Sequence, residues 1–319
     1  MDLNYKIFKS HLNSLEYFEN KPHIGVGVSG GPDSIALVFL LNKWIKYKHG
    51  KLTAIIFDHG IRNNSKTESL QVKKMLKDLG IYSLIIRPNK NKPIKKNMSN
   101  ARDNRFEGMI NICKKKNILH LFLGHHFDDN LETYLLRKIN GSNLDGLVSI
   151  NKTTYFKNIQ ILRPFIEFDK KSILSFNKNN NLQFINDPTN RDVNYTRVKL
   201  RSFLQNEKYK KEIKEDFFYI KKQIPGYRKM IWETLIGNLI SVSKTQIKIN
   251  INQLMKLDDL IIEKHILCFL KFLNQNKTQT KSSKIMILIV SLKKHTFKTF
   301  NLSGIMIKKN GDFLIFSQK

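Results

Sequence analysis

The run Ile24-Gly25-Val26-Gly27-Val28-Ser29-Gly30-Gly31-Pro32-Asp33-Ser34 constrains the fold of this chain more than any other segment. Val26 and Val28 favour a strand. Pro32 suits the first turn of a helix, where its missing N–H has no partner to lose. Gly30 and Gly31 allow positive φ and let a ligand approach bare backbone. A strand, a tight turn and a helix in that order aim free N–H groups and the positive end of a helix dipole into one concavity. The natural occupant is a phosphate or pyrophosphate. Ser29 and Ser34 add hydroxyl donors. Asp33 sets a carboxylate where positive charge alone is expected, which points to a bridging Mg²⁺. No Lys-Ser or Lys-Thr follows the glycines, so this is not a Walker A loop, and the spacing is not that of the dinucleotide fingerprint.

The chain on either side alternates helical patterns with short apolar runs. Residues 1–20 contain a helix that leads into the first strand. A helix is predicted from about Asp33 to Tyr47, with Ile35, Leu37, Val38, Leu40, Leu41, Trp44 and Ile45 as its buried stripe. Strands are predicted at Leu52–Phe57, Ile81–Ile86 and Ile118–Leu123, and helices at Lys66–Leu79, Ser99–Lys116 and Asp128–Asn140. Gly80 is placed as a helix-ending glycine. Asn89–Asn97 reads as a Lys-rich loop. Continuously apolar strands separated by helices imply a parallel sheet covered on both faces, an α/β doubly wound fold. Ligands in such sheets gather at the C-terminal ends of strands. Ser29, Asp58-His59-Gly60 and Gly124-His125-His126 each follow a strand directly, so three motifs converge on one edge.

From about Asn206 the alternation gives way to Lys-rich and aromatic-rich helical segments, with an apolar helix at Leu260–Leu273. A closing hairpin is expected over Asn301–Phe316, around Asn310-Gly311. The expected organisation is therefore a nucleotide-binding catalytic domain over 1–205 and a smaller, mainly helical basic region over 206–319. The formal net charge is +30, and residues 206–319 carry 22 Lys and Arg against 9 Asp and Glu. Both parts are basic, which points to a polyanionic partner and first to nucleic acid. The two cysteines, Cys113 and Cys268, lie outside any Cys-x-x-Cys pair, against a zinc ribbon, an iron–sulfur site or a disulfide scaffold. No apolar run near the start spans a bilayer and no signal peptide is visible, so no membrane association and a reducing cytoplasm are expected.

Two further segments carry chemistry. In Gly124-His125-His126-Phe127-Asp128-Asp129-Asn130-Leu131-Glu132-Thr133, Asp128 and Glu132 lie four residues apart on one helix face, with Asp129 three before Glu132. Three carboxylates within one turn beside a nucleotide site call for a cation, either Mg²⁺ or the ammonium of an amine substrate. In Asn186 to Arg201, an Asp-Pro-Thr-Asn turn precedes a helix start from which Arg197 and Arg201 project on one face. Guanidiniums so spaced suit phosphates of ATP or of RNA.

The Ser29–Ser34 loop resembles the pyrophosphate loop of the N-type ATP pyrophosphatases (PP-loop, or adenine-nucleotide α-hydrolase-like, enzymes), which split ATP between the α and β phosphates. The chain resembles the tRNA(Ile)-lysidine synthetase family through further segments in order. These are Asp58-His-Gly-Ile-Arg62 with Ser65 and Glu68, Ala101-Arg102 with Arg105-Phe106, and His125-His-Phe-Asp-Asp129 with Glu132-Thr133. Gly141-Ser142 with Gly146-Leu147, Arg163-Pro164, and Asp187-Pro-Thr-Asn190 through Arg201 complete the set. Together they cover about residues 24–204. Phe106 stands where the family usually has Tyr, and Val198 where it usually has Asn.

The resemblance implies ATP-dependent ligation of L-lysine to C2 of the wobble cytidine of a CAU-anticodon tRNA(Ile), through an O2-adenylated intermediate. The modified base shifts codon reading from AUG to AUA. ATP is implied to bind at Ser29, Gly30, Gly31, Pro32, Asp33, Ser34, Asp58, His59, Gly60, Arg102, Gly124 and His125. Asp33, Asp128, Asp129 and Glu132 are the implied catalytic residues, with Asp33 and Asp129 toward Mg²⁺. Arg197 and Arg201 are implied in phosphate or tRNA contact, and the basic C-terminal region in gripping the tRNA. A homodimer stays open. Two other readings compete: a sibling tRNA thiolase, which typically needs paired cysteines, and a basic RNA-binding protein with a non-catalytic nucleotide fold.

Overall fold

The computed structural model describes residues 2–58, 65–87, 98–147, 150–185, 196–275, 280–294 and 297–318, with side chains withheld for 98–102 and 196–197. They form two compact units, one of residues 1–141 and 148–217, the other of 142–147 and 218–319.

The first unit is a six-stranded sheet. Its strands are β1 (His23–Val28), β2 (Lys51–Phe57), β3 (Ser83–Ile86), β4 (His120–Phe122), β5 (Thr153–Phe156) and β6 (Ile159–Leu162), in the order β3-β2-β1-β4-β6-β5. All neighbours are parallel except the edge pair β5–β6, which is antiparallel. The sequence pattern missed β5 and β6. Both are only four residues long, and Lys157-Asn158 turns between them with positive φ at both positions. Central β1 is flanked by β2 and β4, so the strand order reverses there, and doubly wound sheets bind ligands at such a switch point. Register levels the strand ends, with Val28 opposite Ile56 and Val26 opposite Phe122. Ser29, Asp58 and Gly124 therefore leave the sheet along one edge.

Alternation along the strands builds the two covered faces. On one face Ile24, Val26, Val28, Ala54, Ile56, Phe122 and Leu162 pack with α1 (Tyr5–Leu15), α2 (Pro32–Tyr47) and α7 (Lys170–Asn179). On the other, Ile55, Leu121, Leu123 and Ile161 meet α4 (Met98–Lys115) through Met109, Ile110 and Cys113. The glycines of β1 serve that second face: a Cβ on Gly27 would sit 2.8 Å from Leu123 Cδ2 and 2.9 Å from Met109 Sδ. The helix starts are chemically marked. Asn4 Oδ1 accepts from the Ile7 N–H at 2.9 Å, Pro32 opens α2, and Asp169 Oδ1 accepts from the Ser172 N–H at 2.7 Å. Also in this unit are α3 (Ser65–Asp78), α5 (Phe127–Ile139) and α8 (Thr196–Phe203).

The change of character read at about Asn206 coincides with the start of α9 (Glu207–Asn238), and the two units divide inside that helix. In the second unit, which holds α6 (Leu144–Leu147), five antiparallel strands run in the order β7-β8-β11-β10-β9. They are β7 (Leu239–Val242), β8 (Gln246–Asn250), β9 (Thr299–Leu302), β10 (Ile305–Asn310) and β11 (Phe313–Gln318). The expected hairpin is β10–β11, turning at Gly311 with φ 58°. Its Ile305, Ile307, Leu314 and Phe316 pack on α10 (Ile251–Leu254), α11 (Asp259–Leu273) and α12 (Ser282–Leu292). The predicted apolar helix is α11; the sheet beside it was not read. Within this unit Asp145 is held by Arg228 Nε at 3.1 Å and Lys264 Nζ at 3.3 Å. Among the described residues, no helix is long and apolar enough to cross a membrane.

Candidate active site

The turn after β1 is held open by its own side chains. Ser34 Oγ donates to the Gly31 carbonyl at 3.0 Å and accepts from the Ser29 N–H at 3.2 Å. The Ser29 and Ser34 hydroxyls lie 3.2 Å apart, and Ser29 Oγ accepts from the Gly31 N–H at 3.4 Å. Gly30 has φ 87°, and a Cβ there would meet Val72 Cγ2 at 2.5 Å. Gly31 is the N-cap of α2 with no side-chain cap, so among the described residues the N–H groups that follow Pro32 are left for another acceptor. Gly124, after β4, brings a second strand end against this cradle. A Cβ on it would lie 3.2–3.3 Å from backbone atoms of Asp33 and Ser34.

His126, the N-cap of α5, sits among three carboxylates. Its Nε2 is 3.8 Å from Asp33 Oδ1 and 3.6 Å from Asp129 Oδ2, and its Nδ1 is 3.8 Å from Asp128 Oδ2. Asp129 also accepts from the His126 N–H at 3.0 Å, fixing the first turn of α5. Lys170 Nζ lies 2.6 Å from both oxygens of Asp33. The Lys170 N–H donates to Asp128 Oδ2 at 2.7 Å, and Lys210 pairs with the other oxygen. One turn along α5, Glu132 Oε1 accepts from Arg201 Nε at 2.7 Å, and Arg201 also stands 3.8 Å from Asp129.

Burial and pairing set the proton affinities. Burial raises that of Asp128, but hydrogen bonds from Lys210 and the Lys170 N–H outweigh it and hold the carboxyl below its ordinary value. For Asp129 burial is outweighed by the imidazoles of His126 and His125 and by the His126 N–H, again a lowered value. For Glu132, 4% exposed, burial wins over the Arg201 bond and the value is raised. Burial pulls the Arg201 guanidinium the other way, yet its bond to Glu132 prevails and its value rises too. Pairing favours both ions, and only the more deeply buried Glu132 loses on balance. Its second oxygen, Oε2, is buried without a hydrogen-bond partner among the described residues.

The sequence motifs land as follows. Ser29, Gly30, Gly31, Pro32, Asp33 and Ser34 form the cradle. Gly124 packs against it, and Asp128, Asp129 and Glu132 line the first turns of α5. Asp58, 3% exposed at the end of β2, accepts from Ser65 Oγ at 2.8 Å and Arg87 Nε at 3.0 Å, which ties the start of α3 to the segment after β3. His59, Gly60 and most of the Asp187-to-Arg201 segment lie outside the described residues, as does the Asn89–Asn97 loop. Arg102 is in α4 and Arg197 in α8, their side chains outside the description, whereas Arg201 reaches the acidic cluster. Sequence reasoning missed Lys170, Lys210 and the central place of His126. Lys170 carried a signal: a lysine at the first position of a helix opposes the dipole, and so needs a local anion.

Mg²⁺ was expected at Asp33 and Asp129. Among the described residues no group of three or more His, Cys, Asp or Glu stands ready for a metal ion. Asp33 and Asp129 flank the same imidazole with oxygen donors only. That set suits a Mg²⁺ brought by phosphates, which takes one or two carboxylates and keeps the rest of its shell.

A family model described as PP-loop domain matches residues 4–208. The chain is 34% identical over 201 residues to a tRNA(Ile)-lysidine synthase of Wolbachia pipientis wMel, covering 62% of this chain and 46% of that protein. It is 32% identical over 248 residues to the tRNA(Ile)-lysidine synthase of Rickettsia bellii strain OSU 85-389, covering 77% and 56%. It is 32% identical over 190 residues to that of Orientia tsutsugamushi strain Boryong, covering 59% and 43%. The chain thus spans about half the length of the curated relatives it matches. Among solved structures, a U34-tRNA thiolase of Methanococcus maripaludis superposes with TM-score 0.57 at 20% identity, over 70% of this chain and 78% of that one, a likeness of fold.

Proposed function

The chain belongs to the PP-loop family, and from that premise we propose that it is a ligase that joins L-lysine to C2 of the wobble cytidine of a CAU-anticodon tRNA(Ile) at the expense of ATP. The observation that carries the reading is the meeting, at one switch point, of an anion cradle at Ser29–Ser34 and a buried acidic helix start. Asp33, Asp128 and Asp129 surround one imidazole there, with Glu132 a turn behind. The names of the relatives supply the substrate class.

In this reading the cradle holds the β and γ phosphates. Cytosine O2 attacks the α-phosphorus and pyrophosphate leaves. The lysine ε-amine then attacks C2, the C2–O2 bond breaks, and AMP departs with that oxygen. The modified base shifts codon reading from AUG to AUA. The amine must lose a proton, and Glu132 is assigned to accept it, because burial raises its proton affinity toward the working pH. Asp128 and Asp129, held ionised, are assigned to the substrate ammonium before it is deprotonated. A Mg²⁺ at Asp33 and Asp129 would stabilise charge on the departing pyrophosphate. The target base must leave its stack to be reached, and the basic C-terminal unit is assigned to the tRNA body. These partners belong to the cytoplasm.

Thiolation is the second reading, prompted by the fold likeness. Against it stand the cysteines: Cys113 is buried in the first unit with its thiol pushed up to about 12 by burial, and Cys268 lies in the other unit. The test is the fate of ATP. With tRNA and lysine both present, the proposal expects AMP and pyrophosphate in equal amounts. Formation of ADP, or AMP output that ignores lysine once tRNA is in excess, would overturn it.

A further inference from the structure

Lys170 lies at the mouth of the cradle and has no part in the reading above. Two bonds fix its backbone there: its N–H to Asp128 Oδ2 at 2.7 Å, and, from the same helix, Asn177 Nδ2 to the Pro32 carbonyl at 2.9 Å. Asn177 is fully buried. The side chain is a third exposed and ends on both oxygens of Asp33. Asp33 is on the first turn of α2, the turn whose free N–H groups define the anion cradle. Lys170 Nζ is therefore beside whatever anion the cradle takes. The described charges do not favour a polyphosphate by themselves. Among the described residues, Asp33, Asp128, Asp129 and Glu132 meet Lys170, Lys210, Arg201 and the imidazole of His126. While Lys170 and Asp33 hold each other, the carboxylate is closed to a metal and the ammonium to a phosphate.

We propose that Lys170 is a pyrophosphate-binding residue that Asp33 holds in place until Mg²⁺ arrives with the nucleotide. The Asp33 carboxylate would hold the divalent ion, and the Lys170 ammonium, so released, would turn to the β or γ phosphate. The two exchanges are coupled, since each leaves the other group in need of a partner. A long flexible ammonium suits this, being a point charge that can turn without losing a fork geometry. The inference rests on the ATP-cleaving reading.

The test is calorimetric titration of the full chain with inorganic pyrophosphate and, separately, with AMP. For Lys170→Met, Mg²⁺-pyrophosphate affinity is expected to fall about tenfold, the scale of one charge-assisted contact. AMP affinity, which involves no β or γ phosphate, stays within about threefold. A counter-ion without a phosphate role gives the opposite sign, because unmasking Asp33 improves the metal site and Mg²⁺-pyrophosphate binds as well or better. A second comparison uses the Asp33→Asn background without Mg²⁺. There Lys170 is already free, and adding Lys170→Met again costs about tenfold in pyrophosphate affinity. No loss in that background, or equal losses for AMP and pyrophosphate, would overturn the inference. Lys170→Arg, which keeps the charge, should restore most of the affinity and so separates the effect from misfolding. If the unaltered protein binds neither ATP nor pyrophosphate, the ATP-cleaving reading itself fails. If it binds both and Lys170→Met matches it, only the role of Lys170 fails.

Discussion

Replacing Arg201 by Met removes one charge-assisted hydrogen bond, 2.7 Å long, from a carboxyl that is 4% exposed and whose other oxygen has no hydrogen-bond partner among the described residues. A hydrogen bond to a charged group contributes about 1.5–3 kcal/mol, and stranding a buried charge costs about 3–5 kcal/mol. The Arg201 side chain is 39% exposed, so solvent screens part of the pair and the lower range applies. The expected loss at pH 7.5 is about 2–3 kcal/mol. Glu132 can escape this loss by taking a proton. Measured from an unfolded value of about 4.3, that escape costs about 4 kcal/mol at pH 7.5 but only about 1 kcal/mol at pH 5.0. The sign follows from a carboxyl already raised by burial and raised further without Arg201. Its destabilising effect is present above the folded-state value and disappears as the pH falls toward the unfolded one. The deficit of Arg201→Met relative to the unaltered protein should therefore shrink to about 1 kcal/mol or less at pH 5.0.

Trp44, fully buried in the first unit, reports this unfolding if Trp232 is first changed to Phe. Urea denaturation followed by Trp44 fluorescence at the two pH values gives both numbers. Adding Glu132→Gln to Arg201→Met should recover most of the loss at pH 7.5, since no charge is then stranded. A deficit below about 0.5 kcal/mol, or one equal at both pH values, would refute the assignment of Glu132 as a buried, Arg-compensated carboxylate.

Gly30→Ala should cost about 2–4 kcal/mol in the same denaturation assay, because φ 87° penalises a side chain and the new Cβ would press on Val72 at 2.5 Å. Nucleotide binding should be lost with it, and a stable Gly30→Ala protein that still binds ATP would show the turn to be dispensable. Gly124→Ala is milder, since its Cβ would meet the Asp33 and Ser34 backbone at 3.2–3.3 Å. It should weaken ATP binding severalfold by shifting the start of α2, with little change in the urea midpoint. With a net charge of +30, affinity for tRNA in filter binding should drop at least about tenfold between 50 and 200 mM salt, and a flat profile would remove the electrostatic grip from the account.

Periodicity and turn chemistry made most of the first unit legible. The predicted helices that became α2 to α5 sit within a residue or two of their expected bounds, because their apolar stripes and end signals agree. The pair β5–β6 escaped because four-residue strands leave too short a run to show a period. The second sheet escaped for the same reason at β7 and β9, while β10–β11 was visible through its Asn310-Gly311 turn. At the site, the cradle and the α5 carboxylates were readable because their residues are adjacent in sequence. Lys170 and Lys210 were not, since only tertiary packing, α7 on α2 and the start of α9 beside α5, brings them to Asp33 and Asp128. In a chain this rich in lysine, no local pattern separates Lys210 from the solvated rest, and Lys170 is marked only by its place at the first position of a helix. Asp58 shows the reverse case: a motif position whose carboxylate is engaged by Ser65 and Arg87.

The central claim is that one site both activates a tRNA base with ATP and delivers lysine to it. Mass spectrometry of nucleosides from a CAU-anticodon tRNA(Ile), incubated with this protein, ATP, Mg²⁺ and isotopically labelled L-lysine, tests it most directly. One labelled lysine, less one water, is expected on the wobble cytidine and on no other nucleoside. Asp33→Asn should abolish the adduct. Unmodified cytidine despite ATP cleavage to AMP, or label on another base, would contradict it.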